Sequence, residues 1–187
     1  EEIVRQAYAA GIPVTSLPGA CACVTALTLS GLSTRRFAFE AFLPPDKKER
    51  AAILESLKTE TRTVILYEAP HHLLATLEQL YRTLGDRRIT LCRELTKLHE
   101  TVRLMTLSEA LSYYSDTSPK GEYVLVLEGI SRQTLDQQKQ DSWKEMDLED
   151  HMQLYLDQKL SKKEAMKKVA ADRGVSKRDI YQQLLDR

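Results

Sequence analysis

Long apolar runs are missing from this chain of 187 residues, and nothing in it approaches the roughly 18 consecutive apolar residues of a membrane-spanning helix. A basic stretch leading into an apolar one, the mark of a secretory signal, is missing too. Cysteine is scarce. Cys21, Cys23 and Cys92 are odd in number and irregular in spacing, which excludes a disulfide framework and suits a reducing cytoplasm. No second Cys or His pair stands at ligand spacing beside Cys21 and Cys23, so no metal is expected. Repeats and low-complexity tracts are absent. With 42% apolar and 29% charged residues, what remains is the composition of a globular protein.

Net charge is also absent, because 27 basic residues balance 27 acidic ones. The balance is uneven along the chain. Residues 159–187 hold 9 basic and 4 acidic residues, whereas 129–158 hold 3 basic and 7 acidic. A basic end is a first pointer to nucleic acid. The chain opens on Glu1, and residues 2–10 read as a helix with no capping residue before it. The expectation is a fragment that starts inside an element.

Residues 1–128 alternate strand and helix patterns, which predicts an α/β layered domain. Apolar strands are expected at residues 13–17, 36–42 (RFAFEAF), 63–67 (TVILY), 89–92, 101–104 and 123–127 (YVLVL). Helices are expected at 21–30, from Asp46 to about Lys58, at 71–84 and from Thr106 to about Tyr114. Residues 129–146, polar and rich in Gln and Asp, read as a linker. Residues 147–187 read as a small all-helical tail domain. There Ser161 and Glu164 form a capping box, and Ala170, Gly174 and Ile180 stand at helix-turn-helix spacing with Val175 and Leu184 as further core. Lys162, Lys163, Lys167, Lys168, Lys177 and Arg178 are the candidate phosphate contacts; the alternative is a solvated lysine face. No aromatic residues are expected to interleave with them as stacking platforms.

Four motifs carry possible chemistry. Pro18, Gly19, Ala20, Cys21 and Ala22 lead into a helix N-terminus, where free N–H groups can meet a ligand and glycine removes a blocking side chain. FAFEAFLP follows at residues 37–44, YEAPHH at 67–72 and RELTKLHE at 93–100. In an open α/β sheet, ligands gather beyond the carboxyl ends of the strands, where the first, third and fourth motifs are expected. Plainer readings stay open beside these. Glu68 and His71 could form a helix-capping network, and Arg93, Glu94, Lys97 and Glu100 a surface cluster of ion pairs. Cys21 and Cys23 are expected to pack rather than react.

Taken in order and spacing, PGACA…ALTLSGL, RRFAFEAFLP, YEAPHH, RELTKLHE, GEYVLVLEG and the tail KKEAMKKVAADRGVSKRDIYQ resemble the ribosomal RNA small subunit methyltransferase I family, within the tetrapyrrole-methylase-like superfamily. The resemblance covers nearly the whole chain. It departs in three places: Ala41 stands where the family has glycine, His72 where it has arginine, and Cys21 where serine is frequent. It implies the C-terminal α/β domain of that fold followed by the helical tail, with an N-terminal domain absent here. It also implies S-adenosylmethionine as cofactor, small-subunit ribosomal RNA or the 30S subunit as partner, a cytidine 2′-hydroxyl as methyl acceptor, a homodimer, and a fragment inactive alone. Pro18, Gly19, Ala20, Cys21, Ala22, Tyr67 and Glu68 are then the cofactor-binding candidates. A 2′-hydroxyl must lose its proton as it attacks, so Glu68, His71 and Glu94 are candidate bases, with Arg93 and Lys97 to stabilise the alkoxide or a phosphate. Glu94 and Lys97 lead the set. A corrin or porphyrin methyltransferase of the same fold, or a non-catalytic nucleic-acid-binding module, are the alternatives.

Overall fold

Five stretches rich in β-branched and aromatic residues form the sheet of the computed structural model, which describes residues 1–185. They are β1 (Phe37–Phe42), β2 (Thr63–Glu68), β3 (Arg88–Arg93), β4 (Thr101–Thr106) and β5 (Tyr123–Leu127), in the spatial order β1-β2-β5-β3-β4. β1 and β2 are parallel; β5 runs antiparallel to both β2 and β3, and β4 antiparallel to β3. β1, β2 and β3 therefore share a direction, and their carboxyl ends lie on one edge of the sheet. The central strands are covered on both faces, which is why TVILY and YVLVL are nearly continuous apolar runs.

Helices α3 (Lys47–Ser56), α4 (Pro70–Leu84) and α5 (Leu107–Asp116) cover one face. Leu54, Leu73, Leu77, Leu80 and Leu107 pack there on Val64, Leu66, Leu91 and Leu125. Local chemistry sets their starts. Asp46 accepts the Glu49 N–H at 2.8 Å, Pro70 opens α4, and Thr106 with Glu109 closes a capping box on α5. Among the described residues the other face carries α2 (Ala22–Leu29), whose Cys23, Ala26 and Leu27 rest on Ile65, Val124 and Val126.

Residues 13–17 are not a strand. A short apolar run becomes a strand only when a neighbour takes its backbone hydrogen bonds, and among the described residues none does. The run stays exposed, as do Ile3, Val4 and Tyr8 of helix α1 (Glu2–Ala9).

At β1 the register against β2 slips between Phe39 and Ala41, and Ala41 takes φ 53°. That backbone region penalises a Cβ by about 1–2 kcal/mol and is free to glycine. Ala41→Gly is therefore expected to stabilise the fold by about 0.5–1 kcal/mol, after the extra freedom it gives the unfolded chain. In a melting experiment this is a rise of about 1–4 °C. A fall would mean that the bulge does not hold this residue left-handed in solution.

The polar stretch expected as a linker contains a helix, α6 (Arg132–Glu145), started by the Ser131 side chain accepting the Thr134 N–H at 2.9 Å. Its low apolar content hid it. It is held by contacts of single residues with α7 (Leu148–Asp157) and α8 (Lys162–Arg173) rather than by an apolar stripe. Trp143 stacks on His151 of α7, with ring centroids 4.3 Å apart and planes 9° apart. α9 (Lys177–Leu185) follows Gly174, which takes φ 64° and lies so close to Gln140 of α6 that a Cβ would meet that side chain at 2.3 Å. Leu148, Met152, Ala165, Met166, Val169, Ala170 and Ile180 form the core of this part, with Val175 and Leu184 against it. The last two residues of the expected tail domain, Asp186 and Arg187, lie outside the described residues.

His151 is fully buried in this helical part. Its Nδ1 accepts from Arg173 Nε at 3.1 Å, so the ring is the tautomer whose Nε2–H donates to Asp172 at 3.2 Å. Burial pushes its pKa below the usual 6.5, against the opposing pull of Asp172. The unfolded chain therefore takes up the proton first as pH falls. The stability tied to His151 is complete above about pH 6.5 and is lost on going below it, toward the folded-state pKa. Trp143 fluorescence should report a melting temperature that drops between about pH 7 and pH 5, and His151→Asn should flatten that slope. A melting curve independent of pH in wild type would refute the neutral, buried ring.

Candidate active-site edge and nucleic-acid face

The YEAPHH and RELTKLHE motifs leave the sheet on the same edge, after β2 and β3, with the start of β5 between them. Tyr123 pairs with Glu68 on one side and Arg93 on the other, so the two motif starts lie about 10 Å apart across β5.

Glu68 is turned inward and buried. One carboxylate oxygen accepts the Ala69 N–H at 2.8 Å and the other the Thr76 hydroxyl at 2.6 Å. Both partners belong to the entry and second turn of α4, so the capping reading describes this residue, and a proton-accepting role does not fit its position. The cue was Thr76, a hydroxyl inside the apolar stripe of Leu73, Leu77 and Leu80. His71 makes no bond to Glu68; it is exposed, with its ring 4.2 Å from that of His72.

The RELTKLHE segment brings Glu94 and Lys97 together. Lys97 Nζ lies 3.0 Å from Glu94 Oε1 and 2.9 Å from a Glu122 carboxylate oxygen. Glu94 Oε1 also accepts the Glu122 N–H at 2.8 Å. The loop bends sharply to do this: Glu94 and Thr96 have φ of 50° and 65°, conformations that non-glycine residues hold only when their surroundings over-determine them. Gly121 makes room, since a Cβ there would stand 2.5 Å from the Glu94 side chain. The Glu122 N–H first, then Lys97, hold the Glu94 carboxyl below its usual range. Glu122 first, then Glu94, raise the Lys97 pKa. Glu94 is thus a firmly ionised acceptor and Lys97 a firmly protonated cation, half-exposed at the edge.

Arg93 does not join this pair. Its Nε donates to the Lys120 carbonyl at 2.6 Å, and it lines a recess of about 390 Å³ with Arg103, Lys120, Tyr113 and Tyr123. Arg103 lies over the Tyr113 ring at 4.4 Å. Arg103, Lys120, Gly121 and Glu122 were not singled out from the sequence. The visible signal was the run K-G-E directly before YVLVL, the strand whose start pairs with Arg93 in the fold.

The loop of Pro18, Gly19, Ala20, Cys21 and Ala22 is exposed and runs into the N-terminus of α2, where no side chain caps the helix. Nothing lies within 4 Å of where a Gly19 Cβ would be, so the glycine relieves no crowding within the described residues. The loop reaches the third motif through its cysteines: Cys21 Sγ is 3.3 Å from Cys23 Sγ, and Cys23 packs beside Tyr67. Cys23 is buried as expected, but Cys21 is exposed. An open backbone at an uncapped helix start suits the polar part of a bound cofactor. Among the described residues, no group of three or more His, Cys, Asp or Glu side chains gathers as metal ligands.

In the tail, Lys162, Lys163, Lys177 and Arg178 surround one apolar recess of about 600 Å³ floored by Met166 and Tyr181. Lys167 and Lys168 are exposed on α8 outside it. Tyr181 overturns the expectation that no aromatic residue interleaves with the cations: it is 55% exposed among four of them. Its position one turn beyond Lys177 and Arg178 on the same helix was the missed signal.

The profile of the Tetrapyrrole (Corrin/Porphyrin) Methylases matches residues 1–111. A curated relative named ribosomal RNA small subunit methyltransferase I, from Halalkalibacterium halodurans, is 42% identical over 180 residues, covering 96% of this chain and 62% of that protein. The protein of the same name from Synechocystis is 40% identical over 187 residues, covering 100% of this chain and 65% of its own length. A solved uroporphyrin-III-C-methyltransferase from Thermus thermophilus superposes with a TM-score of 0.47 at 24% identity, over 68% of this chain and 56% of that one. The chain thus spans less than two thirds of the curated relatives it matches.

Proposed function

Because the chain belongs to the tetrapyrrole (corrin/porphyrin) methylase family, we propose that the protein it forms methylates the 2′-hydroxyl of a cytidine in small-subunit ribosomal RNA, with S-adenosylmethionine as donor. The relatives' shared name supports the substrate, and their coverage of nearly this whole chain includes the basic tail. The single observation that carries the chemistry is the half-exposed Lys97 ammonium, fixed at the carboxyl edge of the sheet by two carboxylates.

S-adenosylmethionine supplies a methyl group on a sulfonium. The exposed backbone at Gly19, Ala20, Cys21 and Ala22, with Tyr67 beside it, forms one wall of its site. Lys97 faces the attacking hydroxyl and stabilises negative charge as the proton leaves. Glu94 orients Lys97. With both Glu68 oxygens taken and Glu94 assigned to orienting Lys97, His71 is the proton acceptor of this reading. Arg93, Arg103 and Lys120 line the adjoining recess and hold a flanking phosphate. The helical tail docks on RNA as a semi-independent unit, and the protein works in the cytoplasm as a homodimer.

The test is methyl transfer by the whole protein to unmodified 30S subunits, followed by nucleoside mass spectrometry. 2′-O-methylcytidine is the expected product; label in a base, or transfer only to a tetrapyrrole, would defeat the reading. Residues 1–187 alone offer the cofactor one wall, and calorimetry should find S-adenosylmethionine binding no tighter than about 1 mM, near 4 kcal/mol. Tight, saturable binding would place the complete cofactor site within this chain.

A further inference from the structure

Away from the carboxyl edge, at the opposite end of the same strands, lies a recess of about 530 Å³ lined by Arg35, Arg36, Arg62, Arg88 and Arg132. Two of the five are held in place. Arg62 pairs with Glu60 through Nε and Nη2, and Arg88 pairs in the same two-pronged way with Glu128. Arg35, Arg36 and Arg132 have no carboxylate within salt-bridge distance among the described residues. Glu60 and Glu128 offset two of the five charges, with Glu40 also acting on Arg62, and a positive excess remains in the recess. The floor is stiff: the Ile130 N–H donates to the Glu60 carbonyl at 2.8 Å, and Gly129 lies so close to the backbone of residues 61–62 that a Cβ would stand 2.4 Å from the Arg62 carbonyl oxygen. Arg132 is also the first residue of α6, where the helix dipole adds to the positive field.

We propose that this recess is a second ribosomal RNA contact, taking phosphodiester groups of the backbone some distance from the methylated nucleotide. The inference rests on the RNA substrate proposed above and adds a site to it. Planar guanidinium groups around a concave, rigid floor suit phosphate oxygens better than they suit a flat protein partner. β3 spans the distance between the two edges, from Arg88 in the recess to Arg93 at the candidate active site, which is about 17 Å. One folded RNA segment can touch both. Arg132 also connects the recess to the tail, since α6 is tied to the turn between α8 and α9 through Gln140 and Gly174.

The experiment compares the whole protein with its Arg35→Ala/Arg36→Ala/Arg132→Ala variant, using naked small-subunit ribosomal RNA across a salt series. Loss of three phosphate contacts should flatten the slope of log affinity against log salt by up to about 2 and weaken binding near 0.1 M salt by up to ~100-fold. The melting temperature should not change, because these side chains are exposed and unpaired, and kcat at saturating RNA should hold while KM rises. The corresponding triple lysine variant should keep most of the affinity. An unchanged slope and KM in the alanine variant overturns the inference and leaves the substrate reading standing. Failure of the wild-type protein to bind the RNA at all overturns both. In a parallel arm, inorganic phosphate is titrated by calorimetry. Saturable phosphate binding that the triple variant loses, with RNA affinity unaltered, would assign the recess to a small anion and also overturn the RNA assignment.

Discussion

In the whole protein, Lys97→Ala is expected to lower kcat about 100-fold or more while leaving affinity for S-adenosylmethionine nearly unchanged. The ammonium is held between Glu94 and Glu122 at 3.0 and 2.9 Å, so its position is set before substrate arrives. A preorganised donor of this kind acts on charge that develops only in the transition state, and its loss appears in turnover rather than in ground-state binding. Glu94→Gln should be milder, about 10-fold, because an amide oxygen still accepts the Glu122 N–H and only the charge that steadies Lys97 is gone. The pH profile separates roles. Both carboxylates raise the Lys97 pKa above its usual 10.5, so Lys97 stays protonated through neutral and mildly alkaline pH, and its deprotonation cannot shape the profile between about pH 6 and 9. A rate change in that window therefore belongs to a group other than Lys97. If Lys97→Ala instead weakens cofactor binding and spares kcat, the ammonium lies on the wrong side of the reaction.

The sheet was largely legible because its strands announce themselves. TVILY and YVLVL are apolar on both faces, and each helix of the α/β part has a local start or stop, such as Pro70, Gly85 and the Thr106–Glu109 box. What failed was what depends on partners. Residues 13–17 have a strand's composition and, among the described residues, no neighbour to pair with. Helix α6 has little apolar pattern and is held by Trp143 against His151 and by Gln140 against Gly174, contacts that no periodicity displays.

The candidate site divides along the same line. Glu94 and Lys97 stand three apart, a spacing that brings two side chains together once the chain turns, and in the fold they form an ion pair. For Glu68 the capping and base readings stood side by side in the sequence, because its partner Thr76 lies eight residues on and only the fold shows that the hydroxyl is buried against it. Glu122 and Gly121, which fix the Glu94–Lys97 pair, come from the approach to β5, almost thirty residues away. The run K-G-E before YVLVL marks a strand start, but which motif it meets follows only from the order β2-β5-β3.

The second large effect is expected in the tail. Replacing Lys162, Lys163, Lys177 and Arg178 together by alanine should reduce affinity for small-subunit ribosomal RNA by up to ~500-fold near 0.1 M salt and flatten the salt slope by up to about 3. These four converge on one recess from the first turns of α8 and α9, so a single stretch of phosphates can reach them all. Each lost contact to a single strand removes about 0.7 from the slope, and at 0.1 M salt the four such losses multiply. The paired variant Lys167→Ala/Lys168→Ala, on α8 but outside the recess, should do much less. Tyr181→Ala tests the recess by a different route. A base stacked on the exposed ring is worth about 1–3 kcal/mol and involves no counterion, so affinity should fall roughly 5- to 150-fold with the salt slope unchanged. Charge and stacking are thereby read on separate axes of one titration. Should the fourfold variant keep the wild-type slope, the lysines are only a solvated face; should Tyr181→Ala keep wild-type affinity, the recess holds backbone without bases.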